Sequence, residues 1–174
     1  NCHKSVLNAC FIRELDIVYI EPEYDNENGF YTAVTQSEVD KVIKNNPDAA
    51  AVIITSPTYE GYASNIKTNI PLIIDAAHGA HFGFGTFPEY PSADIVISGL
   101  HKTLPSLTQT AVLNIYNRIF ENKIKMYLDI FQTSSPSYVL MNSVSICVKF
   151  LENADTVFKE YEKIIYYYYS SLVL

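Results

Sequence analysis

Three short stretches hold most of the reactive side chains of this sequence: TSPTYEG (55–61), DAAHGAH (75–81) and SGLHKT (98–103). Together they supply an amine at Lys102, a carboxylate at Asp75, imidazoles at His78, His81 and His101, and several hydroxyls. An amine of this kind can add to a carbonyl and form an imine. A carboxylate can hold a heterocyclic nitrogen protonated, and hydroxyls with backbone N–H groups can hold a phosphate. This is the donor set of a pyridoxal 5′-phosphate (PLP) site. Taken singly, each residue has a plainer reading: Asp75 as a turn or cap residue, His78 as a satisfied polar group, Lys102 as a solvated lysine. The joint pattern favours chemistry: an aspartate ending an apolar run, a histidine three residues on, then a second apolar run followed by His-Lys-Thr. For His81 both readings stay open.

Such residues need a scaffold that brings them together. Asp16–Ile20, Ala50–Thr55, Leu72–Asp75, Asp94–Ser98 and Thr110–Ile115 are short, rich in Val and Ile, and bounded by turn residues, which predicts buried strands. Between the first two, TQSE (35–38) reads as a capping box opening a helix with Val39, Val42 and Ile43 on one face. Ile119–Phe131 and Tyr138–Leu151 read as helices, the second following Pro136. Apolar strands alternating with helices predict an α/β fold, a three-layer α/β/α arrangement around a mostly parallel sheet. In such sheets a ligand sits beyond the carboxyl ends of the strands, where the three reactive stretches fall.

The chain has 174 residues, 48% of them hydrophobic and 18% charged, which suits a globular unit with a real core. A net charge of -7 argues against wrapping nucleic-acid phosphate or lying on anionic lipid. Cys2, Cys10 and Cys147 are odd in number and lack paired spacing, so free thiols in a reducing cytoplasm are expected, with no metal site. No apolar run is long enough to cross a bilayer. Both ends look unusual, with Asn1 in place of a starting Met and IIYYYYSSLVL over 164–174. The expected organisation is therefore a PLP-binding segment over 1–151, incomplete at its N-terminus, and a helical or aberrant tail over 152–174.

The stretches NCHKSVLNA (1–9), TSPTYEG (55–61), PLIIDAAHGAHFGF (71–84), ADIVISGLHKTLPSLTQTAVL (93–113) and FQTSSPSYVLMNS (131–143) resemble the major domain of the Orn/Lys/Arg decarboxylases. These belong to the fold-type I PLP enzymes. The resemblance implies the large domain of that fold, in part, and decarboxylation of lysine, arginine or ornithine through an aldimine on Lys102 and a quinonoid. It implies Asp75 at the pyridine nitrogen, His3 stacked on one ring face and Ala77 on the other. His78 would reach the phenolic oxygen, His101 would lie near the phosphate or the reacting carbon, and Ser98 stands near the expected phosphate ligand. Thr133, Ser134 and Ser135 would help complete a site at a subunit interface. The implied partners are a small amino-acid substrate and further copies of the chain, as a homodimer or larger homo-oligomer.

The sequence departs from the family pattern at several points. Ala76 stands for Glu, Gly99 for a serine three residues before the lysine, and Asn142 and Ser145 for Ala and Asp. The phosphate loop expected before the His3 motif, and a small C-terminal domain, are not in this sequence. Two other readings accompany the decarboxylase. One is another fold-type I enzyme, such as an α-oxoamine synthase, which the Asp-x-Ala-His pattern also resembles, or an aminotransferase-like one. The other is a non-catalytic fragment or degenerate paralogue. Glu60 reads as a solvated loop carboxylate, with a role at a substrate's distal amine as the alternative.

Overall fold

A computed structural model describes residues 2–172. Asn1 and the last two residues of the 164–174 run lie outside the described residues. The central element is a four-stranded sheet of β3 (Val52–Thr55), β4 (Leu72–Asp75), β5 (Ile95–Ser98) and β6 (Val112–Ile115), in that order. β3, β4 and β5 run parallel, and β6 joins β5 antiparallel. A two-residue pair, β1 (Tyr24–Asp25) with β2 (Phe30–Tyr31), stands apart as a small hairpin. The α/β fold and the mostly parallel sheet are therefore as the sequence predicts.

Strand alternation decides which side chains meet. Val52, Ile54, Leu72, Ile74 and Val96 point to one face and form the main core with Val39 of α2 (Gln36–Asn45). The predicted cap is present: the Glu38 N–H donates to Thr35 Oγ1 at 3.3 Å. The other face carries the row Thr55, Asp75, Ile97, which the strand register sets side by side. This face is less covered, with Ile53 at 38% and Ile97 at 40% exposure. Beyond the strand ends a second cluster joins Ala80, Leu100, Leu104 and Cys147, the last from α5 (Tyr138–Leu151).

The expected strand Asp16–Ile20 does not form. Its residues make no ladder, and Ile17, Val18 and Tyr19 are exposed. Val- and Ile-rich composition fits a pleated surface only where a neighbouring strand supplies hydrogen bonds and a packing face. Here no described strand pairs with it, and of the five residues Ile20 alone packs against the main core. The segment before it, Lys4–Ile12, forms helix α1, which the sequence reading did not anticipate. The 119–131 region starts with a 3-10 turn at Arg118–Phe120 and continues as α4 (Glu121–Phe131).

The tail is a helix, α6 (Ala154–Leu172), which packs through its first turns while Tyr161 and residues 164–168 are exposed. Phe158 stacks edge-on against Phe87 and Phe150. Asp155 Oδ1 accepts the Gly85 N–H at 2.8 Å, and Glu162 Oε1 accepts the Thr86 N–H at 3.1 Å. Among the described residues no helix is long and apolar enough to cross a membrane.

At the opposite end of the sheet, Asp94 acts as a clasp. Its carboxylate accepts the Leu72 N–H at 2.8 Å and the Asn117 side-chain N–H at 2.7 Å, tying β4 to the end of β6. These bonds hold its pKa below the ordinary value. A carboxylate with a lowered folded-state pKa stabilises the fold above its unfolded pKa, and that contribution is lost as pH falls through the folded value. Asp94→Ala is expected to cost about 1–3 kcal/mol near neutral pH, because the Leu72 N–H loses its acceptor. Urea denaturation at pH 7 and again below pH 3 checks this. The gap between wild type and variant must narrow in acid.

Candidate active site

Asp75 and Lys102 converge because β4 and β5 are hydrogen-bonded neighbours running the same way. Each strand ends in a tight turn. After β4, the Gly79 N–H donates to Ala76 O at 2.8 Å, closing the turn that carries Ala77 and His78. After β5, the short helix α3 (Leu100–Thr103) carries His101 and Lys102. Lys102 Nζ lies 3.4 Å from His78 Nε2.

With Lys102 as an ammonium, which only donates, Nε2 accepts and the ring proton sits on Nδ1. Among the described residues, His78 Nδ1 is buried without a hydrogen-bond partner, and so is Thr55 Oγ1, beside Asp75 in the register. A buried donor without an acceptor is costly unless a ligand supplies one. Burial, and next the charge of Lys102, push the His78 pKa down, against the opposing carboxylates of Asp75 and Glu60. The imidazole is therefore neutral near neutral pH. Asp75 Oδ1 accepts the Ala77 N–H at 3.1 Å, which fixes the carboxylate's orientation and leaves Oδ2 without a hydrogen bond.

His101 is also fixed, its Nδ1–H donating to the Thr110 carbonyl at 2.9 Å. His81 Nδ1 is also buried and has no hydrogen-bond partner among the described residues. Its ring sits edge-on against Phe82 and Phe87, and burial lowers its pKa.

Other predicted residues stand elsewhere. Ser98 follows Val96 on the face beneath α2, opposite to Asp75. It is 2% exposed and hydrogen-bonds the Tyr90 hydroxyl, which also accepts from Asn114. Alternation from the core residue Val96 was a signal in the sequence that Ser98 faces away from the lysine. His3 caps α1, with Nδ1 2.8 Å from Ser5 Oγ and 3.3 Å from the Ser5 nitrogen. It makes no hydrogen bond to Asp75, His78 or Lys102. Thr133, Ser134 and Ser135 form an exposed loop between α4 and α5, where Thr133 Oγ1 accepts the Ser135 N–H at 3.1 Å. Two surface hollows, lined by residues such as Lys67, Thr68, Asp94 and Arg118, include none of the predicted site residues.

One neighbour had no assigned role in the sequence reading. Tyr59 packs edge-on against His78, with ring centroids 5.5 Å apart. It stands on a turn locked by Thr58, whose N–H donates to Tyr62 O while its hydroxyl accepts the Tyr62 N–H.

Two departures from the family pattern now have structural settings. Ala76 is fully buried in the α2-side core, one residue out of phase with Asp75. A Cβ on Gly99 would come within 2.9 Å of Ala77 O, so glycine lets the two strand-end turns approach.

Residues 1–164 match the family described as Orn/Lys/Arg decarboxylase, major domain. The chain belongs to this decarboxylase family. An uncharacterized protein of Bacillus subtilis, YaaO, is 34% identical over 167 residues, covering 88% of this chain and 35% of that protein. Arginine decarboxylase of the same species is 31% identical over 164 residues, covering 86% and 33%. The Escherichia coli constitutive lysine decarboxylase shares the fold, with a TM-score of 0.67 at 22% identity over 89% of this chain and 25% of that one. This member of the decarboxylase family thus spans about a third of the length of its curated relatives.

Proposed function

We propose that this chain is the PLP-binding part of a decarboxylase acting on a basic amino acid, with Lys102 as the cofactor's covalent anchor. The observation that carries this reading is the meeting of Lys102 with His78 beside Asp75, at adjacent parallel strand ends. The donor set fits PLP. An amine, a strand-end carboxylate with one uncommitted oxygen, a buried imidazole N–H without an acceptor and the small side chain of Ala77 share one corner. When bound, PLP supplies an aldehyde for amine exchange and a ring that accepts the electrons released with carbon dioxide.

The chain's own groups have distinct tasks. Asp75, oriented by the Ala77 N–H, would keep a proton on the nitrogen of a bound ring. Neutral His78 offers its Nδ1–H to an oxygen acceptor. The Lys102 amine must be neutral to attack, and it accepts and returns a proton as substrate and product exchange. Ala77 would pack on one ring face by family likeness. His101, with Nδ1–H committed to Thr110, keeps Nε2 as an acceptor. His3 and the Thr133–Ser135 loop are assigned to the ring face and to a subunit interface by family likeness. Residues 1–151 form the cofactor-binding segment in this reading, and α6 closes its end. The working protein is a cytoplasmic homo-oligomer.

Incubation with PLP, borohydride reduction and peptide mapping tests the anchor. The label is expected on Lys102 and should vanish in Lys102→Ala. Absence of label on Lys102 would overturn the reading for this chain and favour a non-catalytic piece. Amine and carbon dioxide formed without coenzyme A would separate decarboxylation from acyl-CoA condensation.

A further inference from the structure

A chain of hydroxyls links α5 to the lysine turn. Ser143 on α5 is buried, and its Oγ accepts the Leu107 N–H at 2.7 Å while standing 3.0 Å from Ser106 Oγ. Thr110, also buried, has its Oγ1 2.8 Å from both Ser106 Oγ and the Leu107 carbonyl. The Thr110 carbonyl then accepts twice, from the Leu100 N–H at 3.1 Å and from His101 Nδ1–H at 2.9 Å. Just before it, Gln109 has a φ of +78°, a left-handed conformation rarely adopted by a residue with a side chain.

We infer that Ser143, Ser106 and Thr110 are positioning residues that hold the Thr110 carbonyl against His101. They thereby fix the imidazole as the Nδ1–H tautomer, with Nε2 kept as an acceptor on the residue next to Lys102 in the chain. Each member has a partner of good geometry, so the link is a satisfied buried network, which rigidifies what it touches. A left-handed residue persists only where its surroundings determine it, and here the Ser106–Thr110 hydroxyl contact closes the loop across Gln109. The carbonyl's second donor, the Leu100 N–H, belongs to the same turn as Lys102. One acceptor thus sets both the backbone that carries the lysine and the ring beside it. The functional meaning of a fixed His101 rests on the proposed decarboxylase reading, but the device itself does not.

The test is the tautomer, read from long-range nitrogen–proton correlation of the histidine rings in this chain without cofactor, with His101→Gln for assignment. The wild type is expected to show His101 predominantly as Nδ1–H, unlike free histidine, which favours Nε2–H. Thr110→Val removes the hydroxyl at nearly constant volume and should shift His101 toward the free distribution. Thr110→Ser should restore the wild-type signal. If Thr110→Val does not fold, Ser106→Ala interrupts the same link at a less buried position and carries the test. A wild-type His101 with the free distribution overturns the inference, as does a tautomer unchanged in a folded variant. Because PLP is absent throughout, failure here is separate from failure of the Lys102 labelling.

Discussion

Asp75→Asn is expected to leave the fold standing while removing most of the decarboxylase activity proposed for this protein. The amide oxygen of asparagine can still accept the Ala77 N–H that Asp75 Oδ1 now accepts at 3.1 Å, so the turn after β4 keeps its anchor. What is lost is the negative charge. Asparagine cannot hold a neighbouring ring nitrogen protonated, and the electron sink that this proton creates is the centre of the proposed chemistry. Loss of one preorganised electrostatic partner typically costs roughly 10²–10³-fold in kcat. The effect should fall on kcat more than on KM, since the charge matters most as electrons develop on the ring. Steady-state kinetics with a denaturation curve for each variant checks both halves. Wild-type turnover in the asparagine variant would remove Asp75 from the proposed machinery.

Gly79→Ala should produce the opposite pattern, a large stability loss with no reactive group removed. A Cβ at Gly79 would stand 2.6 Å from Cδ of Pro57, a ring that is itself fully buried. Neither side can give way cheaply. Pro57 is locked in its ring, and Gly79 is held by the bond from its N–H to Ala76 O and by the Phe82 N–H on its carbonyl. Overpacking of this kind costs about 1–3 kcal/mol, and the rigidity of the site argues for the upper part of that range. The displaced turn also carries His78, so its contact with Lys102 should loosen in the same variant. A thermal midpoint lowered by several degrees, together with a changed His78 signal, is the expected outcome. An unchanged midpoint would mean that the two turns are not packed as described.

How much of this was legible in the sequence depends on how local each feature is. β3, β4, β5 and β6 could be read because Val- and Ile-rich runs of four to six residues between turn signals have few other uses in a domain of this size. Asp75, His78 and Lys102 followed, since a strand end places the residues after it. Asp16–Ile20 has the same composition and no strand, because pairing is a tertiary event that composition does not guarantee. Helix α1 was hidden for a related reason. KSVLNACFI carries no clean apolar stripe and buries none of its residues, so periodicity had little to show. Ser98 is offered by its adjacency to Gly99, where the family pattern expects a serine, whereas strand alternation sends neighbouring side chains to opposite faces. The Tyr59 contact and the hydroxyl link to Thr110 join distant segments, and no local pattern announces either.

The ties between α6 and the 85–86 loop have a consequence for how the domain opens. Asp155 and Glu162 lie two helical turns apart and hold consecutive backbone amides, those of Gly85 and Thr86. Fraying of α6 back through its first turn would therefore release both amides and withdraw Phe158 from Phe87, the ring against which His81 rests. Helix and loop should behave as one foldon, with amide protons that exchange at a common rate although some seventy residues separate them in the chain. The last helix thereby sets the opening free energy of the segment that follows the His78 turn.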